Sequence, residues 1–219
     1  MKCSLKNKRI LITCGPTAVP IDAMRIISNL SSGTLGQMIA CDFAKAGARV
    51  TLLEGPVAQP LISKSVNIRK FMFFDEFNTL IQKEVKKTYH ACIHAAAVSD
   101  YKIKKPWPGK LSSQLKTVTL TLVPTQKIID QIKRLNPNLF LVGFKLESNL
   151  TEASAKRKTR KLFQTSRCDL VVANSLKGGR YTGYVLGPGG KFLGAAKSRK
   201  ALSETLVRLT KKSLLEKSL

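Results

Sequence analysis

Acids are scarce in this chain of 219 residues: 13 Asp and Glu stand against 38 Lys and Arg, giving a formal net charge of +25. Alone, that imbalance points to a polyanionic partner. The basic clusters at Lys156–Lys161 and Lys197–Lys217 fall on expected helix faces, away from aromatics that would stack bases, so they read as solvated surface and no specific nucleic acid is expected. The same field suits a phosphate-rich small substrate. Long apolar runs are missing too. Nothing approaches the roughly 18 residues of a membrane span, and the run in MKCSLKNKRILITCG is too short for a signal-peptide core, so neither membrane insertion nor secretion is expected. Five cysteines occur without a C-x-x-C pair. Cys14 and Cys92 sit inside apolar strand-like runs as small buried hydrophobes, which fits a reducing cytoplasmic setting. The two histidines, His90 and His94, share one strand face but have no third ligand at a recognisable spacing, so no protein metal site is expected. Gly187–Lys191 lacks the following Ser/Thr of a phosphate-binding lysine loop.

The 43% of apolar residues that are present suffice for an ordinary core, and the chain reads as one domain over residues 1–219. Short β-branched runs at Arg9–Cys14, Ala48–Leu53, Asn67–Phe71, Ala91–Ala95, Leu139–Phe144 and Asp169–Ala173 predict buried parallel strands. Between them, helical spacing predicts helices over Thr34–Ala46, Asp75–Lys87 (with an acid suited to capping), Thr125–Leu135, Glu152–Gln164 and Lys200–Glu216. The pattern is α/β: a doubly wound, mostly parallel, Rossmann-like sheet. Pro106, Pro108 and Gly109 mark a flap over about 100–116. The alternating TVTLTL of Thr117–Leu122 predicts a half-exposed strand of a small antiparallel flap or dimerisation subsheet. Five glycines in Tyr181–Gly194 predict a hairpin, within a Gly-rich stretch of about 178–194. Such folds bind ligands in loops at the carboxyl ends of their strands, here Gly15–Gly33, Ala95–Ser113, Phe144–Ser148 and one opening at Asn174.

Ser31-x-Gly33-x-x-Gly36 approximates a dinucleotide fingerprint, with Glu54 about 20 residues on to hold a ribose. That alternative, an NAD(P)-dependent oxidoreductase, requires the glycine loop to follow the first strand at once. Here Gly15–Leu30 intervenes between Cys14 and Ser31. What survives is general: Ser31, Ser32, Gly33 and Thr34 precede a helix whose free amides and dipole can hold phosphates.

The passage Gly15-Pro16-Thr17-x3-Pro20-Ile21-Asp22-x2-Arg25-x-Ile27-Ser28-Asn29-x-Ser31-Ser32-Gly33 closely resembles the signature of the phosphopantothenoylcysteine synthetases. The likeness continues at Ala95–Asp100 (AAAVSD), at Gly143-Phe144-x-x-Glu147 and at Asp169–Asn174 (DLVVAN), and so covers nearly the whole chain. It matches the synthetase half of the common bacterial fusion, and a stand-alone synthetase with no flavin-dependent decarboxylase domain before Met1 is expected. The resemblance implies a cytoplasmic ligase of coenzyme A biosynthesis. It would join 4'-phosphopantothenate to L-cysteine through an acyl-nucleotidylate, with CTP favoured over ATP as cosubstrate, Mg2+ held mainly by phosphate oxygens and water, and a homodimeric assembly. The family pattern assigns Asn29 and a flap lysine to catalysis. Lys102-Ile103-Lys104-Lys105 matches by letters, but Lys110 has the better register behind Asp100. The nucleotide would be held by Ser31, Ser32, Gly33, Thr34, Ala96, Asp100 and Phe144, and the acid substrate by Gly15, Thr17, Arg25 and Asn29. Pro16 and the pair Lys145-Leu146 depart from the usual bacterial form, which leaves the nucleotide preference open.

Overall fold

The computed structural model describes residues 5–216; Cys3 and Lys217 lie outside them. Strand β1 (Arg9–Cys14) is buried almost throughout and pairs in parallel with β4 (Arg49–Glu54) on one side and β6 (Ala91–His94) on the other. Its β-branched, apolar composition is what a strand covered on both faces requires. Beyond β4 lies β5 (Val66–Lys70); beyond β6 lie β9 (Phe140–Leu146) and β10 (Leu170–Lys177), all parallel. Antiparallel β11 (Arg180–Gly187) and then β12 (Lys191–Ala196) complete an eight-stranded sheet in the order β12-β11-β10-β9-β6-β1-β4-β5.

Helices cover both faces. On one, α1 (Thr34–Lys45) and α5 (Arg199–Glu216) place Ile39, Phe43, Leu202 and Leu206 against Ile10, Ile12 and Val172. On the other, α2 (Phe74–Val85) and α3 (Ile128–Leu135) place Phe77, Ile81 and Ile132 against Leu11, Cys92 and Leu141. Each such side chain taken out of water contributes about 1.5–3 kcal/mol. The basic helix α4 (Glu152–Gln164) buries only Ala155 and Thr159. Two small antiparallel sheets stand outside the main one: β2 (Ala18–Pro20) with β3 (Ile26–Ser28), and β7 (Tyr101–Ile103) with β8 (Leu122–Pro124).

The doubly wound α/β reading holds, and four local expectations change. Thr117–Leu122 is not a strand up to Leu122: apart from half-buried Leu120 it is exposed in both alternations, and the three-residue β7 offers partners only to Leu122–Pro124. Helix α3 starts at Ile128 rather than Thr125, because Thr125 donates from its amide to the Asp100 carbonyl at 2.9 Å and from its hydroxyl to the Ser99 carbonyl at 2.6 Å. Asp75 does not cap α2; the Glu76 carboxylate reaches back to the Met72 amide at 2.8 Å. No loop opens at Asn174, since the antiparallel partner β11 carries β10 on to Lys177.

On the α2 face a buried carboxylate is fully engaged. Glu84, 1% exposed, accepts from Arg69 at 2.7 Å, Lys87 at 2.6 Å and the Tyr89 hydroxyl at 2.7 Å. Burial acts to raise its pKa, but the bonds from Lys87 and Tyr89 and the charges of Arg69 and Lys87 outweigh it and hold the group below the usual carboxylate range. A depressed folded-state pKa means stability that is full above the unfolded value and lost as pH falls through the folded one. Glu84→Gln is therefore expected to cost about 1–3 kcal/mol near neutrality, measured by chemical denaturation, and the deficit should shrink on acidification as the wild type loses the same interaction.

Candidate active site

The functional geometry begins at the exits of β1 and β6. Gly15 turns with φ +75°, after which Thr17 donates its amide to the Ala97 carbonyl at 3.2 Å while Ala97 donates to the Gly15 carbonyl at 2.9 Å. The Thr17 hydroxyl donates to Ser99 at 3.0 Å and accepts the Ser99 amide at 2.9 Å, and Ser28 closes the set by donating to the Thr17 carbonyl at 3.1 Å. These bonds bring the GPT and AAAVSD segments together. They also deliver Asn29, whose side-chain amide donates to the Ala97 carbonyl at 3.0 Å from an exposed position.

Gly33 is the N-cap of α1 and sits at φ +71°; a Cβ there would approach Val57 to 2.7 Å. Side-chain capping of this helix is absent: the Ser32 hydroxyl accepts from the Thr34 hydroxyl at 2.9 Å, and its contact with the Thr34 amide is long at 3.4 Å. Gly36 then permits close approach, since its Cβ would fall 2.3 Å from that of Cys14. The helix therefore starts directly over the end of β1 with its first amides turned to the sheet's carboxyl edge, the arrangement that receives phosphates.

A cleft of about 1140 Å³ opens at this edge. Its walls include Asn29, Ser31, Ser32, Gly33, Thr34, Ala96, Asp100 and Phe144, so the structure gathers eight of the residues singled out in the sequence. Four others lie outside the lining. Gly15 and Thr17 are buried in the junction below, with Thr17 fully enclosed; Arg25 is tied to Asp22 at 3.1 Å and to the Leu111 carbonyl at 3.2 Å; Lys110 projects from the exposed flap. The Thr17 hydroxyl is already committed to Ser99.

Sequence reasoning missed the cations of the cleft. Lys127, Lys145, Lys158, Lys161 and Arg199 line it against only Asp100 and Asp130. Lys127 pairs with Asp100 at 2.5 Å, and Glu147 is bound by Lys158 and by Lys145 at 3.5 Å. The Lys158 bond, with the charges of Lys158 and Lys145, holds the Glu147 carboxyl below its ordinary range, outweighing burial, which acts to raise it. Lys158 and Lys161 are three apart on α4, hence on one face; that spacing was available in the sequence but reads equally as solvated helix surface. Asn174, Tyr181 and Arg199 arrive from β10, β11 and α5, with the Arg199 guanidinium 5.8 Å from the Tyr181 ring centre.

Two features bear on the chemistry available. His94 is buried, with Nδ1 3.1 Å from the Thr13 hydroxyl, and burial pushes its pKa down to about 4, so it is neutral at physiological pH. Glu54 is 1% exposed and outside the cleft; its Oε1 accepts from Gln37 at 2.8 Å and the Leu61 amide at 3.0 Å. That placement removes the acid a dinucleotide ribose would need. Among the described residues no cluster of three or more His, Cys, Asp or Glu is placed to hold a metal ion.

The architecture is thus that of an α/β protein with an electropositive cleft at the carboxyl edge of its sheet. Residues 5–185 match the DNA/pantothenate metabolism flavoprotein C-terminal domain family, and the chain belongs to it. It is 40% identical over 176 residues to the coenzyme A biosynthesis bifunctional protein CoaBC of Thermococcus kodakarensis, an alignment covering 80% of this chain and 43% of that protein. The chain therefore spans less than half the length of that relative. The crystal structure of the DNA/pantothenate metabolism flavoprotein from Streptococcus pneumoniae superposes with a TM-score of 0.84 at 26% identity, covering 94% of this chain and 99% of that one. The Cab2 mutant H337A in complex with phosphopantothenate-cysteine shares the fold, with a TM-score of 0.79 at 18% identity over 97% and 89% of the two chains.

Gly33 gives a test of the helix seat. Gly33→Ala forces a left-handed alanine at about 1–2 kcal/mol, so the unfolding midpoint should fall by about 2–8 °C. Gly109→Ala, whose Cβ would meet nothing within 4 Å, should leave it unchanged by the same calorimetric measurement.

Proposed function

We propose that this chain is a phosphopantothenate-cysteine ligase of coenzyme A biosynthesis. The observation that carries the reading is the convergence, in one electropositive cleft, of Asn29, the open start of α1, the AAAVSD segment and Phe144. Kinship to a coenzyme A biosynthesis protein supports it.

The reaction brings anions together. The carboxylate of 4'-phosphopantothenate attacks the α-phosphorus of a nucleoside triphosphate, forming the acyl-phosphate bond and expelling pyrophosphate. The cysteine amine then attacks the acyl carbon, forms the amide, loses a proton and releases the nucleoside monophosphate. Such chemistry needs fixed positive charge more than a proton-transfer residue: one cation at 4 Å contributes about 4 kcal/mol at an effective dielectric of 20. In this reading Ser31–Thr34 at the start of α1 receive phosphates, Asp100 and Phe144 seat the nucleoside, and Ala96 supplies backbone contacts. Asn29 donates to the developing acyl phosphate, Lys110 screens its charge, and Arg25 with the Gly15–Thr17 loop completes the acid-substrate side. CTP is favoured, ATP is the alternative, and Mg2+ travels with the triphosphate.

A homodimer is part of the proposal. Met24, Ile26, Phe73 and Leu122 are exposed apolar residues grouped around the two small sheets, a pattern that supports self-association. The free cysteines Cys14, Cys41, Cys92 and Cys168 support a cytoplasmic setting.

Pyrophosphate release from CTP or ATP with phosphopantothenate, measured with and without cysteine, tests the reading. Release should occur without cysteine, and Lys110→Gln should slow it about 10²- to 10³-fold, whereas Lys102→Gln should be mild. Absence of release with every nucleotide would sink the assignment.

A further inference from the structure

The flap that carries Lys110 is fastened to the loop that carries Asn29. Asp22, 4% exposed, is the centre of the fastening. Its Oδ1 accepts the amides of Met24 at 2.8 Å and Arg25 at 2.7 Å, which close the local turn. Its Oδ2 accepts the Leu111 amide at 3.0 Å and the Arg25 guanidinium at 3.1 Å. The other arm of that guanidinium donates to the Leu111 carbonyl at 3.2 Å. On the near side of the lysine, the Gly109 carbonyl accepts the Ala23 amide at 3.5 Å, and the Trp107 amide donates to the Ile21 carbonyl at 3.0 Å. Leu111 buries its side chain at the same place.

We propose that Asp22 is a positioning residue for Lys110: its carboxylate fixes the backbone on the flap side and sets where the lysine projects relative to Asn29. The physical reason is division of labour between two oxygens. A flexible lysine on the long excursion between β7 and β8 delivers its charge to a phosphate only a small fraction of the time; clamping the chain at residues 109 and 111 removes most of that freedom. The same side chain that shapes the Pro20–Arg25 turn leads four residues on to Asn29, so donor and cation are held by one strap. This inference rests on the reading of Lys110 as the charge-screening group.

Asp22→Asn separates the two functions, because the remaining carbonyl oxygen can serve the turn amides while the new amide group confronts the Leu111 amide and the guanidinium. Asp22→Ala removes both. The experiment measures pyrophosphate release together with hydrogen exchange of the 104–114 segment, in wild type and Asp22→Asn. Loss of the clamp should lower kcat by about 10²-fold, the usual consequence of a small misplacement, with KM for the nucleotide within about 3-fold and exchange at Leu111 at least about 10-fold faster. If Asp22→Ala fails to fold, Asp22→Asn still decides. Faster exchange with unchanged kcat overturns the inference, as does a loss of kcat with unchanged exchange or a rise in KM alone. An active wild type with an unaffected Asp22→Asn leaves the ligase reading intact; an inactive wild type overturns that reading and this inference with it.

Discussion

Thr17 has no exposed surface, and its hydroxyl both gives a hydrogen bond to Ser99 and takes one from its amide. Around this exchange the exits of two neighbouring strands, β1 and β6, become a single platform. Together with the backbone bonds of Thr17 and Gly15 to Ala97, it ties the Gly15–Ser28 excursion to the AAAVSD turn and keeps Asn29 facing Ala97. Thr125 joins the same platform through the Ser99 and Asp100 carbonyls, which delays α3 and leaves Thr125–Lys127 available to the cleft. A buried hydroxyl pair thus fixes three loops at once. Its energy is modest, on the order of 1 kcal/mol per bond, but the alternative is unpaired buried polar groups, which costs more.

The second organising constraint is charge. With 38 basic residues and 13 acids, positive charge is in large excess over the acids that could offset it. The structure directs part of the excess inward, to five cations at the cleft walls. Salt screens separated surface charges within about 8–10 Å, so the outer lysines add little to a ligand's binding. Those on α4, at the start of α3 and at the start of α5 face a concave site where the field is concentrated.

Legibility from sequence followed the range of the interactions involved. Strand β1, helix α4 and helix α5 were readable because their patterns are local: a buried β-branched run, a basic run at helical spacing and an apolar stripe. TVTLTL misled because alternation predicts a strand only where an edge is present to pair with, and β7 is too short to supply one. In the site, the residues of continuous motifs, Asn29 to Thr34 and Ala96 to Asp100, were found. Arg199 and Lys158 were not, since nothing in their neighbourhoods records that α5 packs against α1 or that α4 lies over β10 and β9 at the cleft. Asp22 stood in the quoted signature without a role, because its partner Leu111 is 89 residues away.

Under the proposed function, these constraints divide the site into a fixed half and a tethered half. The start of α1 cannot drift from β1 while Gly36 lies against Cys14, so its amides present one geometry to a phosphate chain. A neutral His94 on the cleft wall, bonded to the Thr13 hydroxyl, adds a dipole without net charge. The tethered half, with Arg25 and Lys110, is exposed or half-exposed and outside the cleft lining, yet joined by backbone and carboxylate bonds rather than left as free loop. For a reaction in which negative charge moves from a triphosphate to an acyl phosphate and then departs, that division is chemically sensible. Preorganised dipoles serve the anion present throughout, and a cation on a constrained arm can serve the charge that appears only during the transfer.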